Sequence, residues 1–225
     1  MSDQGTQEWR DARAGNITAS RISDVLTGPR KGQKESRTRA NYRAQLICER
    51  LTGKAVQDEY QSWDMKLGIE REPYARAEYE IKTGTVVDLA GFIPHPTIPR
   101  SGCSPDGTIG SEGLVQFKCG KTATHIDWMM SKIVPVDHRP QMYFEMACTG
   151  RKWTDFVSYE PNLPPHLQLF IVRLERDEVA IAEIETEVQK LNAEIDEIIA
   201  KLNGPEDLTP ILEQSLENAV KRVGL

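Results

Sequence analysis

The hydrophobic period of this chain changes from helical to extended after residue 84, and that switch limits the folds open to it. Thr18 or Ser20 is placed to cap a short helix carrying Ile22, Val25 and Leu26, which ends near Gly28-Pro29. Arg30-Lys31-Gly32-Gln33-Lys34 then reads as an exposed basic loop. Ser36 opens a second helix with Tyr42, Leu46, Ile47 and Leu51 on one face and Gly53 as its stop, and a third runs over residues 69–83 up to Gly84. From there short runs broken by Gly and Pro predict strands over 85–93, 107–110 and 114–119. Helices are expected over 124–133 and 138–148, and strands over 153–159 and 167–174. This order predicts a single α/β or α+β domain, with helices flanking a mixed central sheet.

Beyond it, residues 178–202 repeat Ile181, Ile184, Val188, Leu191, Ile195, Ile198 and Leu202 at steps of three and four, which marks one apolar stripe on a long acidic helix. Such a stripe packs either on its own domain or against a neighbouring subunit. The expected organisation is one domain over residues 1–225, comprising a basic helical part (1–54), a catalytic core (55–174) and an acidic helical part (175–225).

Charge divides the chain in the same way. The net charge of −6 conceals 11 Lys/Arg against 6 Asp/Glu in residues 1–54, and 5 against 13 in residues 175–225. A polyanion partner at the N-terminal end fits this gradient, and so do two differently solvated surfaces. The cysteines Cys48, Cys103, Cys119 and Cys148 form no CxxC pair, and the histidines show neither HExxH nor zinc-finger spacing. Reduced, mostly buried thiols and a cytoplasmic setting are therefore expected. No run approaches the roughly 18 apolar residues of a membrane span, and the polar start carries no signal-peptide region.

The chemistry concentrates in Cys103-Ser104-Pro105-Asp106-Gly107 and the following Gln116-Phe117-Lys118. Asp106-Gly107 and Glu112-Gly113 provide turn residues on both sides of Thr108-Ile109, so Asp106 and residues 114–119 can lie on neighbouring strands. Strand alternation puts Leu114, Gln116 and Lys118 on one face, and turns Val115, Phe117 and Cys119 toward the core. A carboxylate beside a second oxygen ligand and a lysine suits phosphodiester hydrolysis. A hard divalent cation neutralises developing charge and lowers the pKa of a bound water, and a neighbouring lysine orients or deprotonates that water. By itself the spacing is equally that of a solvated hairpin.

Its context is more specific. The hairpin resembles the PD…(D/E)xK signature of restriction-endonuclease-like nucleases. Arg13-Ala14-Gly15-Asn16-Ile17-Thr18-Ala19-Ser20 resembles the R-x-G-x-I-T-A-S opening of the phage lambda exonuclease family, also called YqaJ-like viral recombinases, with Trp9 upstream as in that family. Gly68-Ile69-Glu70-Arg71-Glu72 is similar to its G-x-x-x-E helix start, Cys103–Gly107 to its CSPDG element, and Gln141-Met142-Tyr143 to its glutamine-bearing helix. The resemblance implies a restriction-endonuclease-like core plus the C-terminal helix. It implies Asp106, Gln116 and Phe117 at the metal, with Lys118, Glu72, Gln141 and Gln116 as the catalytic set. Arg13, Ser20 and Ser104 would form a 5′-phosphate pocket, for which a helix N-terminus and an arginine are suitable donors. Arg30 and Lys31 would touch duplex DNA, and Met65 lies near the family's strand-separating wedge.

The implied activity is 5′→3′ degradation of one strand of linear double-stranded DNA, dependent on Mg²⁺ (Mn²⁺ as an alternative) and not on ATP. Gly28…Gly32…Lys34 indeed lacks the spacing of a phosphate-binding NTPase loop. Also implied are a ring-shaped homotrimer around DNA and a single-strand annealing protein as partner. One position departs from the family: Gln116 stands where Glu is expected. The amide is a neutral and weaker ligand for Mg²⁺, so the chain is expected to fold and bind DNA yet cleave poorly. With Asp106, Lys118 and Glu72 intact, a single lesion fits deliberate alteration better than drift. The other readings are a non-catalytic DNA-binding or assembly module on a degenerate nuclease fold, a restriction-like endonuclease, and a serine hydrolase using Ser104. No GxSxG elbow surrounds that serine.

Overall fold

The computed structural model describes residues 4–56 and 63–204. Seven helices and seven strands follow one another within these residues, with short 3₁₀ turns between them. The first is α1 (Gln7–Arg13), whose N-terminus is capped by the Thr6 hydroxyl accepting from the Trp9 N–H. β1 (Ile17–Thr18) leads through a 3₁₀ turn into α2 (Ile22–Leu26). Then come α3 (Arg37–Thr52), closed by Gly53 at φ +67°, and α4 (Trp63–Thr83). The middle of the chain holds β2 (Ile93–Pro94), β3 (Ser101–Cys103), β4 (Gly107–Ile109) and β5 (Gly113–Lys118). After them come α5 (Thr122–Ser131), α6 (Arg139–Thr149), β6 (Trp153–Tyr159), β7 (Leu169–Glu175) and α7 (Glu178–Leu202).

The main sheet has the order β4-β5-β6-β7, with β5 and β6 parallel and the outer pairs antiparallel. Parallel strands need a crossover, and α5 with α6 supplies it. A smaller sheet, β1-β3-β2, pairs β1 parallel with β3. β5 is buried on both faces. Val115, Phe117 and Cys119 pack with Ala75 and Tyr79 of α4, while Leu114 joins the core formed by α2, α3, α6 and α7. The alternation expected of this strand is thus the division between two cores.

Along α7, Ile181, Ile184, Val188, Leu191 and Ile195 are buried in the chain's own core. Its polar flank is tied to α3: Glu194 accepts a two-nitrogen grip from Arg39 at 2.8 Å for each nitrogen, and Arg43 adds a bond at 3.0 Å. Asn192 further donates to the Pro99 carbonyl.

Several elements differ from the sequence expectation. In residues 85–93 only Ile93 enters a strand, while Asp88 makes an isolated bridge to Thr108. Val86 and Leu89 are exposed, so the alternation there has no second layer to pack on. α4 begins six residues earlier than expected and keeps Pro73 inside it. Neither Thr18 nor Ser20 caps its helix: their hydroxyls face each other at 3.3 Å, and Ser20 lies within the 3₁₀ turn.

On β6, Asp155 is buried and accepts from the Tyr79 hydroxyl at 2.7 Å and from Arg173 at 2.7 and 2.9 Å. The guanidinium of Arg173 also lies 3.4 Å over the Trp153 ring. Truncation by Asp155→Ala strands a buried hydroxyl and removes the guanidinium's partner, and is expected to cost about 2–3 kcal/mol. Urea denaturation measures this; an unchanged midpoint would contradict the assigned network.

Candidate active site

The Ser101–Lys118 segment brings the chemistry together. Gly107 pairs with Val115 across the β4–β5 hairpin, so Asp106, one residue before, arrives beside Gln116. Gly107 is required there, because a Cβ would stand 2.2 Å from Val87. Asp106 Oδ2 accepts from the Phe117 N–H at 2.7 Å and from Gln116 Nε2 at 2.5 Å. Gln116 Oε1 in turn accepts from Gln141 Nε2 at 2.9 Å, and the same nitrogen donates to Glu145 Oε1 at 2.8 Å. An ordered chain therefore runs from Asp106 through Gln116 and Gln141 to Glu145. It also fixes the amide orientations, since Asp106 as a carboxylate can only accept.

In front of this chain lies a cavity of about 390 Å³, lined among others by Glu72, Asp106, Gln116, Lys118, Trp128 and His138. α4 delivers Glu72 and β5 delivers Lys118. Burial, followed by the charge of Asp106, raises the Glu72 carboxyl to about 7, against the pull of Arg76 and Lys118. Burial likewise raises Asp106, opposed by Lys118 and the Phe117 N–H. Glu145 is fully buried and pushed up to about 8, first by burial and then by Asp106. Burial brings His138 down to about 4, with Lys118 adding to the effect; the ring stacks on Phe156 and meets Trp128 edge-on. Three acidic groups thus share one lysine in a partly dry site.

Among the described residues, no group of three His, Cys, Asp or Glu side chains is arranged to hold a metal ion. The donors beside Asp106 are the Gln116 amide oxygen and, since the Phe117 ring is in the core, the Phe117 carbonyl, with Glu72 also on the cavity wall. All are oxygens, which suits Mg²⁺, a cation that commonly keeps waters and takes one or two carboxylates.

A second cavity, of about 320 Å³, is lined by Trp9, Arg13, Thr18, Ser20, Arg21 and Tyr42, with others. Arg13 lies 4.2 Å from the Trp9 ring centroid and donates to Ser20 Oγ at 3.2 Å. The Trp9 indole N–H donates to Ser104 Oγ at 3.0 Å. The turn carrying Arg13 is clamped from α3. Gly15 donates its N–H to Glu49 at 2.7 Å, and its carbonyl accepts from Arg50 at 2.9 Å. Only glycine suits this turn, because its φ is +71° and a Cβ would stand 3.0 Å from Arg50. Ser104 does not line this cavity but holds its Trp9 wall, and it stands two residues before Asp106, which lines the other.

The residues singled out in the sequence thus fall into three groups. Asp106, Gln116, Phe117, Gln141, Glu72 and Lys118 surround one cavity or its hydrogen-bond chain. Arg13 and Ser20 line the other, and Ser104 lies outside its lining, hydrogen-bonded to Trp9 on its wall. Arg30 and Lys31 lie apart, exposed on the loop between α2 and α3. Met65 falls in the first turn of α4, and its side chain lies outside the described residues. Two contributors give no signal in the sequence. Glu145 sits in an otherwise apolar helix stretch and carries no motif, and the position of His138 marks only a helix start.

Comparison with known proteins identifies the family and the fold. The family model described as the YqaJ-like viral recombinase domain matches residues 8–152. The crystal structure of an alkaline exonuclease (LHK-Exo) from Laribacter hongkongensis is similar at 46% identity and a TM-score of 0.80, covering 88% of this chain and 96% of that one. The same values hold for LHK-Exo in complex with dAMP. A phage related exonuclease from Haemophilus somnus 129PT shares the fold at 15% identity and a TM-score of 0.67, covering 86% and 99%. No curated protein sequence matches the chain. No helix among the described residues is long and apolar enough to cross a membrane. By family model, sequence identity and fold, this chain belongs to the YqaJ-like viral recombinases, a family of phage-type exonucleases.

Proposed function

We propose that the two linked cavities serve an Mg²⁺-dependent, ATP-independent exonuclease that degrades one strand of linear duplex DNA in the 5′→3′ direction. We further propose that the chain as it stands cleaves slowly because of Gln116. The observation that carries the reading is the convergence of Asp106, Gln116, Glu72 and Lys118 on one cavity, with Trp9 of a second, arginine-bearing cavity bonded to Ser104, two residues before Asp106.

Asp106, Gln116 Oε1 and the Phe117 carbonyl would hold the cation. When bound, it neutralises the scissile phosphate and makes a water acidic at neutral pH. Lys118, charged, would orient the attacking water, and Glu72, raised to about 7 by burial, would take its proton. Gln141 sets the side chain of residue 116. Arg13 and Ser20 hold the 5′-phosphate of the DNA end, with Trp9 backing the guanidinium and Ser104 tying that ring to the metal-site strand. Burial lowers the Arg13 pKa, yet a guanidinium remains charged. Arg30 and Lys31 would contact the duplex and Met65 the point of strand separation. All of residues 1–225 would act as one domain within a DNA-encircling homotrimer, handing the product strand to a single-strand annealing protein.

One observation favours a non-catalytic DNA-binding module instead: the Gln116 amide hydrogen sits on the carboxylate oxygen that a cation would take. End binding separates the cavities experimentally. Arg13→Ala is expected to weaken binding of a 5′-phosphorylated duplex end by about 10–100-fold, the worth of one lost charge-assisted pair. Binding of the 5′-hydroxyl end should not change. Fluorescence anisotropy with both ends measures this, and equal losses on the two ends would remove Arg13 from the phosphate pocket. Strand-labelled linear and closed circular duplexes, with Mg²⁺ or EDTA, test polarity and the need for an end.

A further inference from the structure

Glu145 is completely buried on α6, between Phe144 and Met146, which are buried as well. Its Oε1 accepts the Gln141 amide, but Oε2 has no hydrogen-bond partner. Among the described residues no Lys or Arg forms an ion pair with it, although Lys118 is close enough to bias it. A buried carboxyl with one orphaned oxygen is costly, and an apolar helix face gains nothing structural from it. What it does gain is position. One nitrogen of Gln141 reaches both Glu145 and Gln116, and Gln116 reaches Asp106. The carboxyl is therefore joined through a single amide nitrogen to the Gln116 oxygen offered to a cation, and it does not itself line the cavity.

We propose that Glu145 is a positioning and charge-supplying residue of the metal centre. With a dication bound, it provides from behind Gln141 the negative charge that residue 116 lacks. The proposal rests on the divalent-cation reading of Asp106 above. Two physical effects follow from its place. Its field acts on the cation through a low-dielectric interior, where a charge one side chain farther off still counts. It also anchors the Gln141 amide so that this group takes only one lone pair of Gln116 Oε1, leaving the other for the cation. An arriving dication in turn favours the ionised form of Glu145. Glu145 makes no hydrogen bond to Asp106, so a cation must still displace the Gln116 amide from Asp106 Oδ2, and cleavage stays slow even where metal binds.

The test is Mn²⁺ binding by calorimetry, with metal-free melting alongside it, on the unaltered chain, Glu145→Gln, Glu145→Asp and Gln116→Glu. Glu145→Gln is nearly isosteric and can still accept from Gln141, so it removes charge and little else. It is expected to weaken Mn²⁺ binding by about tenfold or more, while the metal-free Tm does not fall. Glu145→Asp keeps the charge and should bind more tightly than Glu145→Gln. Unchanged Mn²⁺ affinity in Glu145→Gln would overturn the proposal while leaving the cation site standing. Binding seen only after Gln116→Glu would overturn it too, since Glu145 would then supply nothing to this chain. No Mn²⁺ binding by any of the four proteins would remove the metal reading itself.

Discussion

Gln116→Glu is expected to raise the rate of degradation of 5′-phosphorylated linear duplex in Mg²⁺ by roughly 10²–10³-fold, equivalent to about 3–4 kcal/mol of barrier. The reason lies in which atoms residue 116 presents. Its amide donates to Asp106 Oδ2 at 2.5 Å, and the Phe117 N–H already occupies the same oxygen. A cation must therefore break a charge-assisted hydrogen bond before it can use that oxygen, and it meets one carboxylate fewer when it does. A glutamate in this place cannot donate. It would set two carboxylates face to face, an arrangement unfavourable when empty and relieved by a dication.

The same substitution should consequently lower the metal-free Tm and enlarge the stabilisation given by Mg²⁺, because ligand that binds only the native state adds directly to its stability. Parallel nuclease and melting assays on the two proteins measure both effects. Equal, robust cleavage by both would show that residue 116 does not limit the chemistry.

How much of this was legible in the sequence depends on whether a residue's role is set by its neighbours in the chain. The alternation Leu114/Gln116/Lys118 against Val115/Phe117/Cys119 was readable, since strand periodicity is local and each face meets a different core. So was the approach of Asp106 to Gln116, because Gly107 and the turn at Gly110 fix the hairpin register. β1 and β3 escaped notice. Elements of two and three residues have no period, and their pairing is decided by tertiary packing.

Residues 85–93 mislead for the opposite reason: their composition is strand-like but only Asp88 and Ile93 find partners. Ser20 looked like a cap, yet its hydroxyl faces Arg13, a partner seven positions earlier that only the clamped Gly15 turn brings near. Glu145 is the clearest limit. A glutamate four residues after Gln141 reads as an ordinary helical side chain, and only the packing of α6 under the sheet shows it fully buried.

In the Gln116→Glu background, Lys118→Met is expected to reduce kcat by about 10³-fold or more while end binding stays within about twofold. Met matches the length and apolar stem of lysine, so β5 and its pairing with β6 should be kept. What disappears is the positive charge shared by Asp106, Glu72 and Glu145, each of which is held lower by Lys118. Without it the Glu72 carboxyl should rise further above its value of about 7, so a larger fraction stays protonated at neutral pH and can no longer take a proton from water. Lys118→Arg separates charge from proton transfer. A guanidinium returns the charge but does not give up its proton at accessible pH. Recovery in Lys118→Arg would therefore assign Lys118 an electrostatic part alone, whereas continued inactivity with tight end binding would assign it the proton. Single-turnover kinetics on a 5′-phosphorylated duplex reads the chemical step directly, and a loss confined to binding would move Lys118 out of the reaction.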